Sequence, residues 1–348
     1  GGTRKFLNPA GTPCRRSLMR IAVTGYGAIA ARHINIIKDT LGPGRFELLV
    51  CRERDVPLAP EHRWADMTTD FEDVLDFAPD CAVIASPATR HIEQAARLAD
   101  IGAHLLIEKP LSVDLKGVDS LIGISEARGV AVLIGYNMAY LKTLDYLTGR
   151  IDSGVIGPVI SIMAEVGQYL PQWRPHIDYR DSVSARSDLG GGALLELSHE
   201  IEYVDRLLGG TRTVFCNRAK SGLLDIDVED SADILMEGVR GGTAIIHMNM
   251  LQKTPTRSCR VAGTDGVVTA DIIAGEASIR LARGGGEEMG FKDASGDRGY
   301  VYREQMEHFF ACARGESAPR VDCRRGRRVM ELIAASRESA EGGAKILV

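Results

Sequence analysis

The tightest constraint in this sequence is a six-residue turn, Gly25-Tyr26-Gly27-Ala28-Ile29-Ala30, set between an apolar run at 19–24 and a helix-like segment at 28–38. Small residues there have separate tasks: Gly25 permits the sharp turn, Gly27 lets backbone approach a pyrophosphate, and Ala30 lets the helix pack close to the strand. Ala28 and Ile29 open the helix, whose N-terminal N–H groups favour negative charge. A glycine-rich turn by itself is common. Between a strand and a helix, at the head of a βαβ unit, it predicts a dinucleotide site.

The same rhythm continues through the first half. Apolar runs at 46–51, 81–85, 104–107 and 130–134 alternate with helical patterns at 71–77, 91–99 and 118–128. Near-continuous apolar strands suit a parallel sheet covered on both faces. After about Asn137 the pattern changes: 159–169, 213–220, 231–237, 242–251, 258–262, 266–272 and 277–281 read as strands without intervening helices, several joined by Gly-containing turns such as Val239-Arg240-Gly241-Gly242. The expected fold is an α/β Rossmann domain at 18–137 followed by an α+β domain at 138–348 with an open, mostly antiparallel sheet. Residues 1–17 are polar and read as a flexible leader, and the Gly/Asp/Glu-rich stretch 283–300 reads as a mobile loop. Two helical patterns, 305–314 and 326–340, close the chain and are expected in the second domain or packed back on the first.

At 348 residues the chain exceeds what one hydrophobic core organises, which also favours two domains. A formal net charge of -5 gives no reason to expect nucleic acid. No apolar stretch reaches the roughly 20 residues that cross a bilayer, so no membrane association is expected. The seven cysteines are scattered and never form C-x-x-C, and the eight histidines show no H-x-x-x-H spacing. Reduced thiols, no metal and a cytoplasmic location follow as expectations.

The second strand is expected to end at Cys51, where an acid ordinarily binds the ribose of NAD. Arg52 comes first and Glu53 next. A guanidinium there suits the 2′-phosphate of NADP, whereas a shift of one residue suits NAD; the cofactor is read as NADP or NAD, with NADP favoured. Further along stand Ser86-Pro87-Ala88-Thr89-Arg90-His91, Glu108-Lys109-Pro110 and Gly135-Tyr136-Asn137. Lys109 follows a strand of the parallel sheet, where ligands of such sheets bind, and Pro110 restricts the peptide to an extended or cis geometry.

In this order, and with Gly190-Gly191-Gly192-Ala193-Leu194-Leu195-Glu196-Leu197-Ser198-His199, these motifs resemble the glucose-fructose oxidoreductase, inositol dehydrogenase and rhizopine catabolism family over nearly the whole chain from Met19. The resemblance implies an NAD(P)-dependent oxidoreductase that moves a hydride to or from a hydroxyl or keto carbon of a sugar-like molecule. It implies cofactor contacts from Gly25, Gly27, Ala28, Ile29, Arg52, Ser86, Pro87, His91, Glu108, Lys109 and Asn137, with Lys109 touching both nicotinamide and substrate. It also implies a homodimer or homotetramer, for which the alternating segment with Ile245, His247, Asn249 and Leu251 offers a sheet face.

Family members carry D-x-x-x-H where this chain has Glu196 and His199, an E-x-x-H spacing, and a gap-free match puts Glu200 at the histidine position. His199 is taken as the general acid/base because an imidazole titrates near neutrality, with Glu196 orienting it; Glu200 stays open as the alternative. Residues three apart on a helix share a face, which suits the Glu196 and His199 pair. In the loop 167–180, Tyr169, Trp173 and Tyr179 offer rings to a sugar, and Arg174 and Arg180 offer guanidinium groups to a phosphate or carboxylate. The loop resembles family members of bacterial surface-sugar and nonulosonic acid pathways, which implies a sugar nucleotide or acidic sugar. Two other readings stand beside this one: a catalytically silent NAD(P)-binding scaffold or sensor, and an NAD-dependent, redox-assisted glycosidase.

Overall fold

Parallel strands, largely buried except for the short edge strand at 66–68, organise the first half of the chain. In the computed structural model, which describes residues 18–283, 288–293 and 299–348, they are β1 (Met19–Thr24), β2 (Phe46–Cys51), β3 (Asp66–Thr68), β4 (Cys81–Ile84), β5 (His104–Ile107) and β6 (Val132–Ile134). All pair in parallel, in the order β3-β2-β1-β4-β5-β6. Between them run α1 (Ala28–Leu41), α2 (Phe71–Phe77), α3 (Ala88–Asp100) and α4 (Val118–Arg128). The strand order reverses between β1 and β4, so the loops after these two strands meet at a topological switch point, where open α/β sheets bind ligands. Gly25 N–H donates to Cys51 O at 2.8 Å and Ala85 N–H to Thr24 O at 2.8 Å, which locks the three strand ends together.

The second half is built on a nine-stranded sheet, β14-β13-β12-β11-β7-β10-β9-β8-β15. Its members are β7 (Val159–Gly167), β8 (Thr211–Ala219), β9 (Ser231–Gly238), β10 (Thr243–Asn249), β11 (Thr256–Gly263), β12 (Gly266–Asp271), β13 (Glu276–Leu281), β14 (Glu288–Lys292) and β15 (Ile346–Leu347). Only the β7 and β10 pair is parallel. Helices α5 (Lys142–Asp152), α6 (Ala193–Glu196) and α7 (His199–Leu207) lie on one face. The period of two puts Ile162, Ala164 and Val166, and likewise Ala244, Ile246 and Met248, under those helices. On the opposite face the register aligns Phe215, Leu235, Ile245 and Met163 in one row across four strands, all solvent-exposed.

Two helices close the chain, α8 (Tyr300–Ala313) and α9 (Cys323–Gly342). The chain divides into two compact units: one runs to Asn137 and includes Gly299–Arg327, and the other takes Met138–Arg298 and Arg328–Val348. In the first, Met306, Phe309, Phe310 and Ala313 of α8 join Ile34, Ile37, Ile21 and Val23 in one buried cluster.

The sequence pattern misses β3 and β15, which are too short to show a period. Within 283–300 a mobile loop was expected, but Glu288–Lys292 pairs antiparallel with β13, and Phe291 stacks on Tyr146 at 5.3 Å, giving that stretch an apolar anchor. The leader at 1–17, with Cys14, and residues 284–287 and 294–298 lie outside the described residues. No helix among the described residues is long and apolar enough to cross a membrane.

Candidate active site

In the first unit the glycine turn is built as its residue types require. Gly25 has φ 85°, and a Cβ there would lie 2.5 Å from Ala85 O, so both conformation and space demand glycine. At Gly27 the requirement differs: nothing lies within 4 Å of a Cβ position, and the residue caps α1 with no side-chain hydrogen bond and no acid in the first turn. This open, uncapped helix start at the switch point fits a pyrophosphate. Ala30 is fully buried beneath it.

Arg52 directly follows β2, as expected. Its Nη1 donates to Val56 O at 2.8 Å, and its guanidinium lies 5.1 Å from the centre of the Tyr26 ring, over the turn. Glu53 turns to Arg90 of α3 at 3.3 Å, on the surface. Ser86, after β4, donates its hydroxyl to Gln94 Oε1 at 2.7 Å, and Pro87 caps α3.

His91 differs from a cofactor ligand in its surroundings. Its ring is enclosed, with Nδ1 2.9 Å from Pro110 O and Nε2 2.8 Å from Ser86 O. Burial holds its pKa below the ordinary histidine range, overriding the two carbonyls that favour the cation. Lys109 is half-buried, and the Lys109-Pro110 peptide is cis. Glu108 is nearly buried, with Oε1 2.6 Å from His33 Nε2. Asn137 is also nearly buried and shares a hydrogen bond with the Tyr302 hydroxyl; the Tyr302 ring packs edge-on against His33. Sequence reasoning missed His33 and Tyr302. The signal for His33 was its place three residues after Ala30 on the buried side of α1.

In the second unit, Gly192 has φ 106° and a Cβ there would meet Glu229 Oε1 at 2.5 Å. Glu229 in turn accepts from Leu194 N–H at 3.1 Å, and its carbonyl from Ala193 N–H at 3.0 Å, fixing the start of α6. Glu196 ends α6 and accepts from the Ser184 hydroxyl at 3.0 Å. His199 begins α7 and is half-buried, with its Nδ1 atom buried. The helix breaks at Leu197 and Ser198, so Glu196 and His199 stand on two consecutive short helices. Glu200 is fully buried, its two oxygens held by Arg257 at 2.7 and 2.8 Å.

Leu170, Trp173, Arg174, Ile177, Tyr179, Ser182 and Ser184 line one pocket, and Ser184 links it to Glu196. Arg174 is exposed at its edge. Arg180, expected beside Arg174 as an anion ligand, is instead folded back on Asp178, with Nε 2.9 Å from Oδ1 and Nη2 2.5 Å from Oδ2, and lies 3.5 Å from Asp225. The carboxylate two residues away competes successfully for the guanidinium; this bonding lowers the Asp178 pKa to about 2. The Tyr179 hydroxyl accepts from Asp225 N–H at 3.1 Å, and the Tyr169 ring carries the Lys253 ammonium 5.3 Å from its centre.

Two family profiles match this chain: "Oxidoreductase family, NAD-binding Rossmann fold" over residues 19–136 and "GFO/IDH/MocA C-terminal domain" over 146–269. Among curated relatives, the chain is 23% identical to a 2,7-anhydro-N-acetylneuraminate hydratase of Mediterraneibacter gnavus, covering 72% of this chain and 67% of that protein. It is 25% identical to D-xylose 1-dehydrogenase (NADP(+)) 2 of Haloferax volcanii, covering 78% and 82%. The fold superposes with TM-score 0.81 on the WlbA dehydrogenase from Bordetella pertussis in complex with NADH and UDP-GlcNAcA, at 22% identity, covering 97% of this chain and 99% of that one.

Proposed function

Because this chain belongs to the GFO/IDH/MocA family of NAD(P)-dependent oxidoreductases, we propose that it moves a hydride to or from a hydroxyl or keto carbon of an acidic sugar or sugar nucleotide, Lys109 and His199 serving the reacting oxygen. The observation that carries this reading is the uncapped helix start at Gly27, open at the switch point of the parallel sheet. Gly25, Gly27, Ala28 and Ile29 would hold the pyrophosphate, and Ser86, Pro87 and Asn137 the neighbouring groups. Bound nicotinamide supplies or accepts the hydride.

The chain's own residues do the rest. Lys109 presents a cation that stabilises negative charge on the substrate oxygen. His199 exchanges the hydroxyl proton, since Glu200 is committed to Arg257; Glu196, held by Ser184, polarises the site. Arg52, anchored over Tyr26, offers its remaining N–H groups to a 2′-phosphate, which favours NADP. Arg174 offers one guanidinium to a carboxylate, beside Trp173 and Tyr179 for the sugar face. The exposed row Phe215, Leu235, Ile245 and Met163 is the surface on which a second copy would close, giving a homo-oligomer.

The test is a set of initial rates of NADP(H) and NAD(H) turnover with D-xylose, 2,7-anhydro-N-acetylneuraminate and UDP-GlcNAcA as probes. The acidic probes should turn over, Arg174→Ala should raise KM for them, and Lys109→Met and His199→Asn should each lower kcat. Turnover that survives Lys109→Met contradicts the role of Lys109. A redox-neutral conversion, in which the cofactor is restored each turnover, is a second reading favoured by the relative named as a hydratase. Product analysis separates the two, because only net oxidation accumulates NAD(P)H.

A further inference from the structure

Two enclosed histidines of the first unit have no part in the chemistry above. His33, on α1, is fully buried and places Nε2 2.6 Å from Glu108 Oε1. The other oxygen of Glu108 lies 3.3 Å from the Lys109 backbone N–H. His91, on α3, places Nδ1 2.9 Å from Pro110 O and Nε2 2.8 Å from Ser86 O. Gly135 closes a further side, where a Cβ would come 2.9 Å from Glu108 Cα and 3.0 Å from Lys109 N.

Lys109 is therefore flanked in sequence by two residues that are each tied to a buried imidazole. The groups facing the rings are a carboxylate and two carbonyls, all acceptors; a neutral imidazole carries a single N–H, so His91 donates to one carbonyl, Pro110 O in the Nδ1–H tautomer. His33 Nδ1 has no partner among the described residues, which leaves the Nε2 side as the bonded one. A lysine has four flexible carbons, so holding its backbone narrows the volume that its ammonium sweeps. The helix that opens at Gly27 also carries His33, and α3, which follows the loop after β4, carries His91, so turn, loop and lysine share one frame.

We propose that His33 and His91 are positioning residues that fix Lys109 relative to the glycine turn, His33 through the Glu108 carboxylate and His91 through the Pro110 carbonyl. The proposal rests on the reading of Lys109 as the group that serves the substrate oxygen, but its geometry is measurable without a substrate. Competitive labelling of the full chain with trace acetic anhydride, read by peptide mass spectrometry, gives the rate at Lys109 relative to Lys116 in the same digest.

In His33→Gln and His91→Gln the loosened Lys109 should label about threefold faster or more than in wild type, with the Lys116 rate unchanged. Glu108→Ala should behave like His33→Gln, whereas Glu108→Gln, which keeps an acceptor for His33, should restore a near-wild-type rate. A cooperative thermal melt identifies the folded variants, and Glu108→Gln against Glu108→Ala carries the comparison if a histidine variant does not fold. Unchanged Lys109 labelling in the folded variants overturns the clamp. Lys109→Met, assayed in parallel for turnover, addresses the other reading separately: activity that survives it removes the catalytic role of Lys109 while leaving the labelling result standing.

Discussion

His199 and Glu200 are adjacent in sequence and differ in burial and partners. Glu200 is fully buried and shares two hydrogen bonds with Arg257, while His199 is half-buried at the first position of α7. Removing one partner of a buried ion pair strands the other, so Glu200→Ala should cost about 3–5 kcal/mol of stability in urea unfolding. His199→Asn should leave the unfolding midpoint nearly in place and lower kcat by about 10²–10⁴-fold, the usual worth of a general acid/base. A Glu200→Gln variant that kept its stability and lost all turnover would exchange these roles. Arg180 shows how a local competitor decides a side chain's fate: Asp178, two residues earlier, takes the guanidinium that sequence reading assigned to substrate.

At the scale of the element, the turn between β1 and α1 separates two glycine requirements. Gly25→Ala meets Ala85 O and a left-handed backbone, so it should lower the melting temperature. Gly27→Ala has room for its methyl group, so it should melt like wild type and weaken cofactor binding by about tenfold, because the added carbon occupies the approach to the pyrophosphate. Equal melting with equal cofactor affinity would remove Gly27 from the site.

The turn, the βα alternation and the change of pattern near Asn137 were legible in sequence because each rests on local periodicity or on glycine. The link between His33 and Glu108 spans 75 positions and leaves no local trace. The break at Leu197 and Ser198 was hidden because helical periodicity continues through it, and β14 because its short apolar alternation sits among glycines and charges.

Across the whole molecule, buried titratable groups set the pH range of stability. Burial lowers the pKa of His91, His104 and His308, so the unfolded chain takes up protons below about pH 6.5 that the folded chain refuses. Stability therefore falls as pH drops from about 6.5 towards 5. Burial also pushes the thiols of Cys216, Cys259 and Cys323 up to about 12 and that of Cys51 to about 11, so ionisation of the unfolded chain draws stability down above about pH 8.5. The melting temperature should form a plateau between these limits, and His91→Gln should flatten its acid side; a monotonic profile from pH 5 to 10 contradicts this. For the homo-oligomer proposed on the exposed sheet row, Ile245→Glu should shift sedimentation towards the monomer, and sedimentation unchanged from wild type would contradict that surface as the interface.

Calorimetric titration of the folded full chain with NADPH and with NADH bears most directly on the dinucleotide site from which the rest follows. One cofactor per chain should bind, NADPH more tightly, with Arg52→Ala erasing the difference between the two. A cooperatively folded chain that binds neither would contradict the assignment of the Gly25 to Ala30 turn and, with it, the oxidoreductase function.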